Sequence, residues 1–423
     1  MRTLRYGMTG TDVMQIQSLL NKMGYSAGPV DGKFGLALLR AVTKFQHNFG
    51  LTADGVIGPN TFRVMERFLL GYDIYTIQSG DTFYDIARKY NTDLTLLLAA
   101  NPGLNPEALM IGQRIIVPYG MDVVDTNIDY TYEILSRDIQ GLLVRYPFLE
   151  AGSAGSSVLG KSLYYLKMGT GPNQVFYNAS HHALEWITTP VLMKFGEEFL
   201  KTYALGGTLG GYNVREIWEK STIYILPMVN PDGVDLVLEG LQPNNPFYND
   251  LIKWNKGSSD FSTDWEANIH GVDLNHNYNA AWQLSKDAEE QYGITGPGPT
   301  RYSGPYPESE PESKAVADFT RSHNFRLVMA YHSQGEVIYW NFMNMAPPEG
   351  KTIGEALSGI SGYTLDLTTG IASYAGYKDW FIQDYRRPGY TIEVGLGKNP
   401  LPISQFDTIY KDNLGMLLYA SIV

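Results

Sequence analysis

The stretch Ser180-His181-His182-Ala183-Leu184-Glu185-Trp186-Ile187-Thr188 decides how this chain is read. His182 and Glu185 lie three residues apart. At that spacing an imidazole and a carboxylate occupy neighbouring positions of one turn and can grip one ion together. His181 is four residues from Glu185, so the spacing favours His182. A third ligand is expected from His332, which follows the apolar run Phe325-Arg326-Leu327-Val328-Met329-Ala330-Tyr331. Such a run reads as a buried strand that delivers its last residue to a sheet edge. Two histidines and one glutamate leave a tetrahedral zinc with an open fourth position, the layout of a catalytic rather than a structural site.

Further motifs follow in order: Asn230-Pro231-Asp232-Gly233, Gly271-Val272-Asp273-Leu274-Asn275, His332-Ser333 and Thr391-Ile392-Glu393. With the opening stretch they resemble the zinc metallocarboxypeptidase family over roughly residues 122 to 423. Within it the chain is most similar to the bacterial branch of γ-D-glutamyl-L-diamino acid endopeptidases, which cut peptidoglycan stem peptides. The resemblance implies an α/β domain with a mixed sheet and one zinc per chain on His182, Glu185 and His332. It implies Glu393 as the general base and Asn275 as a holder of the substrate end. True carboxypeptidases carry, after that asparagine, an arginine that pairs with the free C-terminal carboxylate. Here His276 stands there, and a neutral imidazole does not replace a bidentate guanidinium. This departure weakens the exopeptidase reading and favours cleavage inside a peptide, or recognition of a different carboxylate. Leu184 also replaces a position that is often basic in the family.

Two family features have no clear match. For the oxyanion-stabilising arginine, Lys253, Lys256 and His270 lie in the right region and the choice stays open. An ungapped match puts Ile371 at the mobile tyrosine, so Tyr374 and Tyr377 are candidates. Lys378 is a candidate cation for an acidic group on the substrate, with a solvated lysine as the alternative.

Upstream, residues 1–70 show a pseudo-repeat. Val13, Ile16, Leu20 and Met23 share one helix face behind Thr11-Asp12, read as an N-cap. Leu39, Val42, Phe45 and Phe49 mark a second helix. The turns Val30-Asp31-Gly32-Lys33-Phe34-Gly35 and Ala53-Asp54-Gly55-Val56-Ile57-Gly58 flank it, with Asp-Gly pairs supplying positive φ. The pattern resembles the three-helix peptidoglycan-binding module. Residues 74–119 alternate as a strand at Tyr75-Thr76-Ile77-Gln78 and turn at Ser79-Gly80-Asp81-Thr82 into a helix capped by Asp81 or Thr82. A helix near 94–100 is broken at Pro102-Gly103, and a strand returns over 111–118. This β-α-α-β unit resembles a LysM module, which implies glycan binding around Gly80, Asp81 and Thr82. In residues 122–423, strand-like runs at Ser162 to Lys167, Gln174 to Tyr177, Ser221 to Val229, Leu327 to Tyr331 and Tyr390 to Val394 alternate with amphipathic helices. That alternation argues for an α/β sheet sandwiched by helices, with the site in loops at the strand ends.

Composition bounds the reading. At 423 residues the chain should hold two or three domains. A net charge of −12 argues against nucleic acid and anionic membrane as partners. With no cysteine, disulfides and thiolate metal sites are impossible. The 30 tyrosines suit both core packing and stacking on sugars. The start Met1-Arg2-Thr3-Leu4-Arg5-Tyr6-Gly7 does not read as a secretory signal, and no stretch reaches the ~18 apolar residues of a membrane span. The expected location is cytoplasmic or spore- or wall-associated, with sporulation among the expected roles. The expected partner is peptidoglycan, through both glycan and stem peptides. The expected reaction is zinc-dependent hydrolysis of the γ-D-glutamyl-L-diamino acid bond. The alternatives are a carboxypeptidase trimming stem peptides and a non-catalytic wall-binding protein.

Overall fold

The computed structural model describes residues 2–423; the side chain of Ile371, a position weighed for the mobile tyrosine, lies outside the described residues. By contacts the chain forms two compact units. One contains residues 1–129, 133–150 and 200–206; the other contains 130–132, 151–199 and 207–423.

The first unit opens with three helices, Thr11–Lys22, Leu36–Asn48 and Pro59–Leu70. Val13, Ile16, Leu20, Val42 and Phe45 are buried in their common core. Each Asp-Gly turn is locked by a buried glutamine of the preceding helix. Gln17 Nε2 donates to Asp31 Oδ1 (2.9 Å) and Lys33 O (3.1 Å), while Gly32 N donates to Gln17 Oε1 (2.9 Å). Gln46 repeats this with Asp54 Oδ1 (2.8 Å), Val56 O (2.9 Å) and Gly55 N (2.8 Å). The first helix begins after Gly10, which makes no side-chain cap; Asp12 instead accepts from Val13 N and pairs with Arg2. The expected Thr11-Asp12 cap is therefore one turn position too late.

Strands Tyr72–Thr76 and Arg114–Pro118 pair antiparallel around helices Phe83–Lys89 and Leu94–Ala99. Thr82 is the cap, accepting from Asp85 N. Asp81 serves the turn instead, accepting from Tyr75 OH (2.8 Å) and Gln78 N (2.7 Å). Asn101 stitches the second helix to the returning strand by donating to Leu97 O and Ile116 O and accepting from Ile116 N. Residues 119–129 and most of helix Tyr132–Arg145 belong to this same unit.

The second unit is built on a mixed eight-stranded sheet. Its spatial order is Thr364–Asp366, Val337–Tyr339, Gly389–Val394, Phe325–Ser333, Asn173–Ala179, Ser221–Leu226, Ser162–Met168, Glu150–Ser156. The central strands 389–394, 325–333, 173–179 and 221–226 run parallel. Parallel strands are covered on both faces and read as continuous apolar runs; Leu327 to Tyr331 are all fully buried. Neighbouring residues show both faces at work. Phe176 meets Phe319 of helix Pro311–Arg321 and Tyr377, whereas Tyr177 meets Phe195 of helix Thr188–Leu205 and donates to Leu417 O of helix Phe406–Ala420. The strand expected over 221–229 stops at Leu226, because Pro227 lacks the N–H that a central ladder needs. The carboxyl ends of the parallel strands gather Ser180, His332 and Glu393 at one edge, where open α/β sheets place their ligands. Among the described residues no helix is long and apolar enough to cross a membrane.

Gln46 is 1% exposed and satisfies three backbone or side-chain groups of its turn. Gln46→Leu keeps the volume but orphans them, so the three-helix module should lose about 1–3 kcal/mol. Amide hydrogen exchange confined to residues 2–70 of the full chain reads this directly. Unchanged protection there would mean that the lock contributes no stability.

Candidate metal-dependent active site

Strand Asn173–Ala179 ends at Ser180, which adopts φ 53, a left-handed conformation unusual for a side-chain-bearing residue. The turn is held from all sides. Ser180 N donates to Thr188 Oγ1 (3.1 Å), Thr188 Oγ1 donates to Glu185 O (2.7 Å), and the Ser180 hydroxyl meets Thr189 Oγ1 at 2.8 Å. Asn230 caps helix Pro231–Glu239 through Gly233 N and donates from its NH2 to His181 O (3.1 Å). That double duty explains the Asn-Pro-Asp-Gly motif. A short 3-10 turn, Ala183–Glu185, then presents His182 and Glu185 together.

The parallel register pairs Glu393 with His332, so these two residues stand side by side at the strand ends. His332 Nδ1 lies 2.8 Å from Glu185 Oε2, His182 Nδ1 lies 3.0 Å from Glu185 Oε1, and the two ring nitrogens face each other at 3.3 Å. His182 Nε2 faces Asp273 Oδ1 at 3.1 Å. A carboxylate there accepts a hydrogen bond from Nε2–H, which leaves Nδ1 as the nitrogen that could ligate a metal. Nδ1 and the oxygens of Glu185 converge on one point, where a cation could be held. The donor set of two imidazoles and one carboxylate fits zinc. Burial raises the Glu185 carboxyl, but His182 and then His332 outweigh it and hold it at about 2. Burial, and then the nearby Glu185, push the Glu393 carboxyl well up. Two acids facing one another are a further reason for a cation here.

His181 is not a ligand. It is fully buried, with Nε2 2.9 Å from Tyr278 OH and its ring stacked on His332.

A cavity of about 1270 Å³ opens over this triad. It exceeds the roughly 300–1,000 Å³ of ordinary small-molecule sites, which leaves room for several peptide residues. Asn275, His276, Lys256, Lys378 and Glu393 line it. Asn275 Oδ1 accepts from Tyr377 N (3.0 Å), so its amide NH2 is the end left for a ligand. Other expectations do not reach the cavity. Lys253 and His270 are not in its wall; His270 is held by Glu310 at 2.8 Å, with Phe247 edge-on to its ring. Tyr377 opens helix Tyr377–Tyr385 facing inward, fully buried with its hydroxyl 2.9 Å from Thr320, and Tyr374 packs on the same core. The tyrosines that line the cavity are Tyr292 and Tyr339. Lys378 is 2% exposed and already committed, with Nζ 2.5 Å from Asp379 and donating to Asn341 O at 2.8 Å. It is not the solvent-facing cation that its neighbours in sequence suggest.

The wall at His276 holds a guanidinium supplied from another segment. Arg301 lines the cavity and donates from Nη1 to His276 Nε2 (3.0 Å). Burial lowers the His276 pKa to about 4, with the Arg301 charge pushing the same way, so the ring is a neutral acceptor.

Residues 135–416 match the Zinc carboxypeptidase family. The chain belongs to that family. Residues 9–65 match a putative peptidoglycan binding domain and residues 75–118 a LysM domain. The chain is 44% identical to gamma-D-glutamyl-L-diamino acid endopeptidase 1 of Lysinibacillus sphaericus over 81% of its own length and 98% of that protein's. It is 34% identical to the uncharacterized protein YqgT of Bacillus subtilis (strain 168), over 72% of this chain and 81% of that one. The fold is that of solved carboxypeptidase-like structures. Thrombin activatable fibrinolysis inhibitor superposes with a TM-score of 0.54 at 20% identity, covering 70% of this chain and 77% of that one. Carboxypeptidase A from Helicoverpa armigera gives 0.53 at 16% identity, covering 92% and 95%.

Sequence reading missed Arg301 and also Asn399, which exchanges hydrogen bonds with Ser333 and reaches Glu185 Oε1 at 3.5 Å. Neither sits in a local motif.

Removing one ligand should empty the site. His332→Ala should abolish stoichiometric zinc, and Asp273→Asn, which spares all three ligands, should weaken zinc binding ~10–100-fold. Competition with a chromophoric chelator measures both. Wild-type affinity in Asp273→Asn would mean that the carboxylate does not orient His182.

Proposed function

We propose that this chain is a zinc-dependent endopeptidase that hydrolyses the bond between γ-D-glutamate and the L-centre of a diamino acid in peptidoglycan stem peptides. The observation that carries the reading is the 44% identity with the Lysinibacillus sphaericus endopeptidase over nearly that protein's whole length. The intact set of His182, Glu185, His332 and Glu393 supports it and disfavours a wall-binding protein without activity. One zinc at the triad supplies Lewis acidity beside the scissile carbonyl and the attacking water.

The remaining work falls to the chain. Glu393 takes a proton from the attacking water and delivers it to the leaving amine. The Asn275 amide donates to the substrate backbone and fixes its direction along the cavity. Asp273 keeps His182 in the tautomer that a ligand needs. Lys256 lines the cavity and is exposed, which supports it over Lys253 and His270 as the candidate for oxyanion stabilisation.

The N-terminal modules hold the enzyme on the wall and raise the local concentration of stem peptide. The glycan contact is assigned to the turn around Gly80, Asp81 and Thr82, where Asp81 also fixes the turn. With a net charge of −12, adhesion to an anionic wall cannot be simple charge attraction.

Three measurements test this reading. Glu393→Gln should keep its zinc while turnover of muropeptides falls ~10²–10⁴-fold. Near-normal turnover would transfer the base role elsewhere. Mass analysis of digested muropeptides should show new γ-D-glutamyl carboxyl ends, and release of single C-terminal residues alone would make the enzyme a carboxypeptidase. The full chain should also co-sediment with insoluble peptidoglycan at moderate salt, where charge-driven adsorption is screened.

A further inference from the structure

The geometry points to Arg301 as the residue that selects the substrate, by holding a stem-peptide carboxylate next to the scissile bond. This rests on the peptidase reading above and assigns it a specificity residue outside every motif of the sequence.

Arg301 sits at the end of the Gly- and Pro-rich segment 293–301, whose residues form one wall of the cavity. Its backbone has φ 67, a left-handed conformation that costs a side-chain-bearing residue energy and persists only where the surroundings enforce it. Asp273 is the enforcer. Arg301 N donates to Asp273 Oδ2 (2.9 Å), and Asp273 N donates to Tyr302 O (2.8 Å). The guanidinium is aimed by one contact, Nη1 to the neutral His276. No other hydrogen bond or ion pair engages it among the described residues. Nη2 and Nε are left as a planar fork on a residue of the cavity wall, and such a fork matches a carboxylate with two parallel hydrogen bonds. Lys378, in contrast, has its charge spent on Asp379.

The substrate supplies the matching group. A γ-linked glutamate keeps its own α-carboxylate free close to the scissile carbonyl, which an ordinary α-peptide does not. With lysine as the diamino acid of the test peptide, the residue beyond the bond carries the one other carboxylate. His276 is then a positioning residue, acting through Arg301.

The test uses the zinc-loaded full chain with a stem tripeptide, the same peptide amidated at the glutamate α-carboxylate, and the same peptide amidated at the diamino acid carboxylate. In the wild type one amidation should lower kcat/KM roughly 10- to 100-fold, the range for losing a charge-assisted hydrogen bond. Which one it is identifies the carboxylate. Arg301→Gln should lose as much on the free peptide and become indifferent to that amidation. Arg301→Lys should recover part of the loss. His276→Leu should slow the free peptide but not the amide. Zinc content and thermal midpoint certify that each variant is folded. Equal losses on all three peptides in Arg301→Gln would place the residue at the developing oxyanion and overturn the proposal, as would full amidation sensitivity in that variant. If the wild type cuts none of the three peptides, the substrate reading itself falls, a pattern distinct from either failure of Arg301.

Discussion

The site depends on one buried carboxylate. Asp273 Oδ1 faces His182 Nε2 and accepts from Asn275 N, while Oδ2 accepts from Arg301 N. Burial opposes its charge, yet the His182 interaction outweighs that and holds the group ionised well below the usual carboxylate range. Three functions therefore share one anchor. The orientation of His182, the placement of Asn275 and the strained backbone of Arg301 are set together. A buried charge of this kind is stable only while all its partners are present. This makes Asp273 a point where small errors in one wall of the cavity reach the metal.

The parts legible in sequence were those with local signatures. Asp-Gly turns announce positive φ, and Gln17 and Gln46 close the two turns in the same way, so the pseudo-repeat of the first 70 residues is physical as well as textual. An unbroken apolar run announces a parallel strand, and His332 sits where that run ends. The His182–Glu185 pair is local as well. Glu393 needed the resemblance, because a glutamate at a strand end has no signature of its own.

What escaped the reading depends on folding over long sequence distances. Arg301 meets His276 across 25 positions, and Asn399 meets Ser333 across 66. No window of sequence contains both partners. Lys378 looked available because burial of a lysine is decided by its surroundings: here its helix faces the core and Asp379 stands ready to pair with it. Tyr377 misled for the same reason, being an inward-facing first residue of that helix. His276 shows the converse error. No arginine stands at position 276, yet Arg301 on another loop brings a guanidinium to that imidazole.

The two contact-defined units are not divided by a single point in the chain. Residues 133–150 and 200–206 belong with the N-terminal modules, although they are interleaved with segments of the sheet unit. A cut near residue 120 would therefore divide the first unit rather than part it from the second. For the same reason, exchanging the modules for others is not a matter of one splice: a graft that stops near residue 120 would leave helix Tyr132–Arg145 without the partners it was selected to pack with.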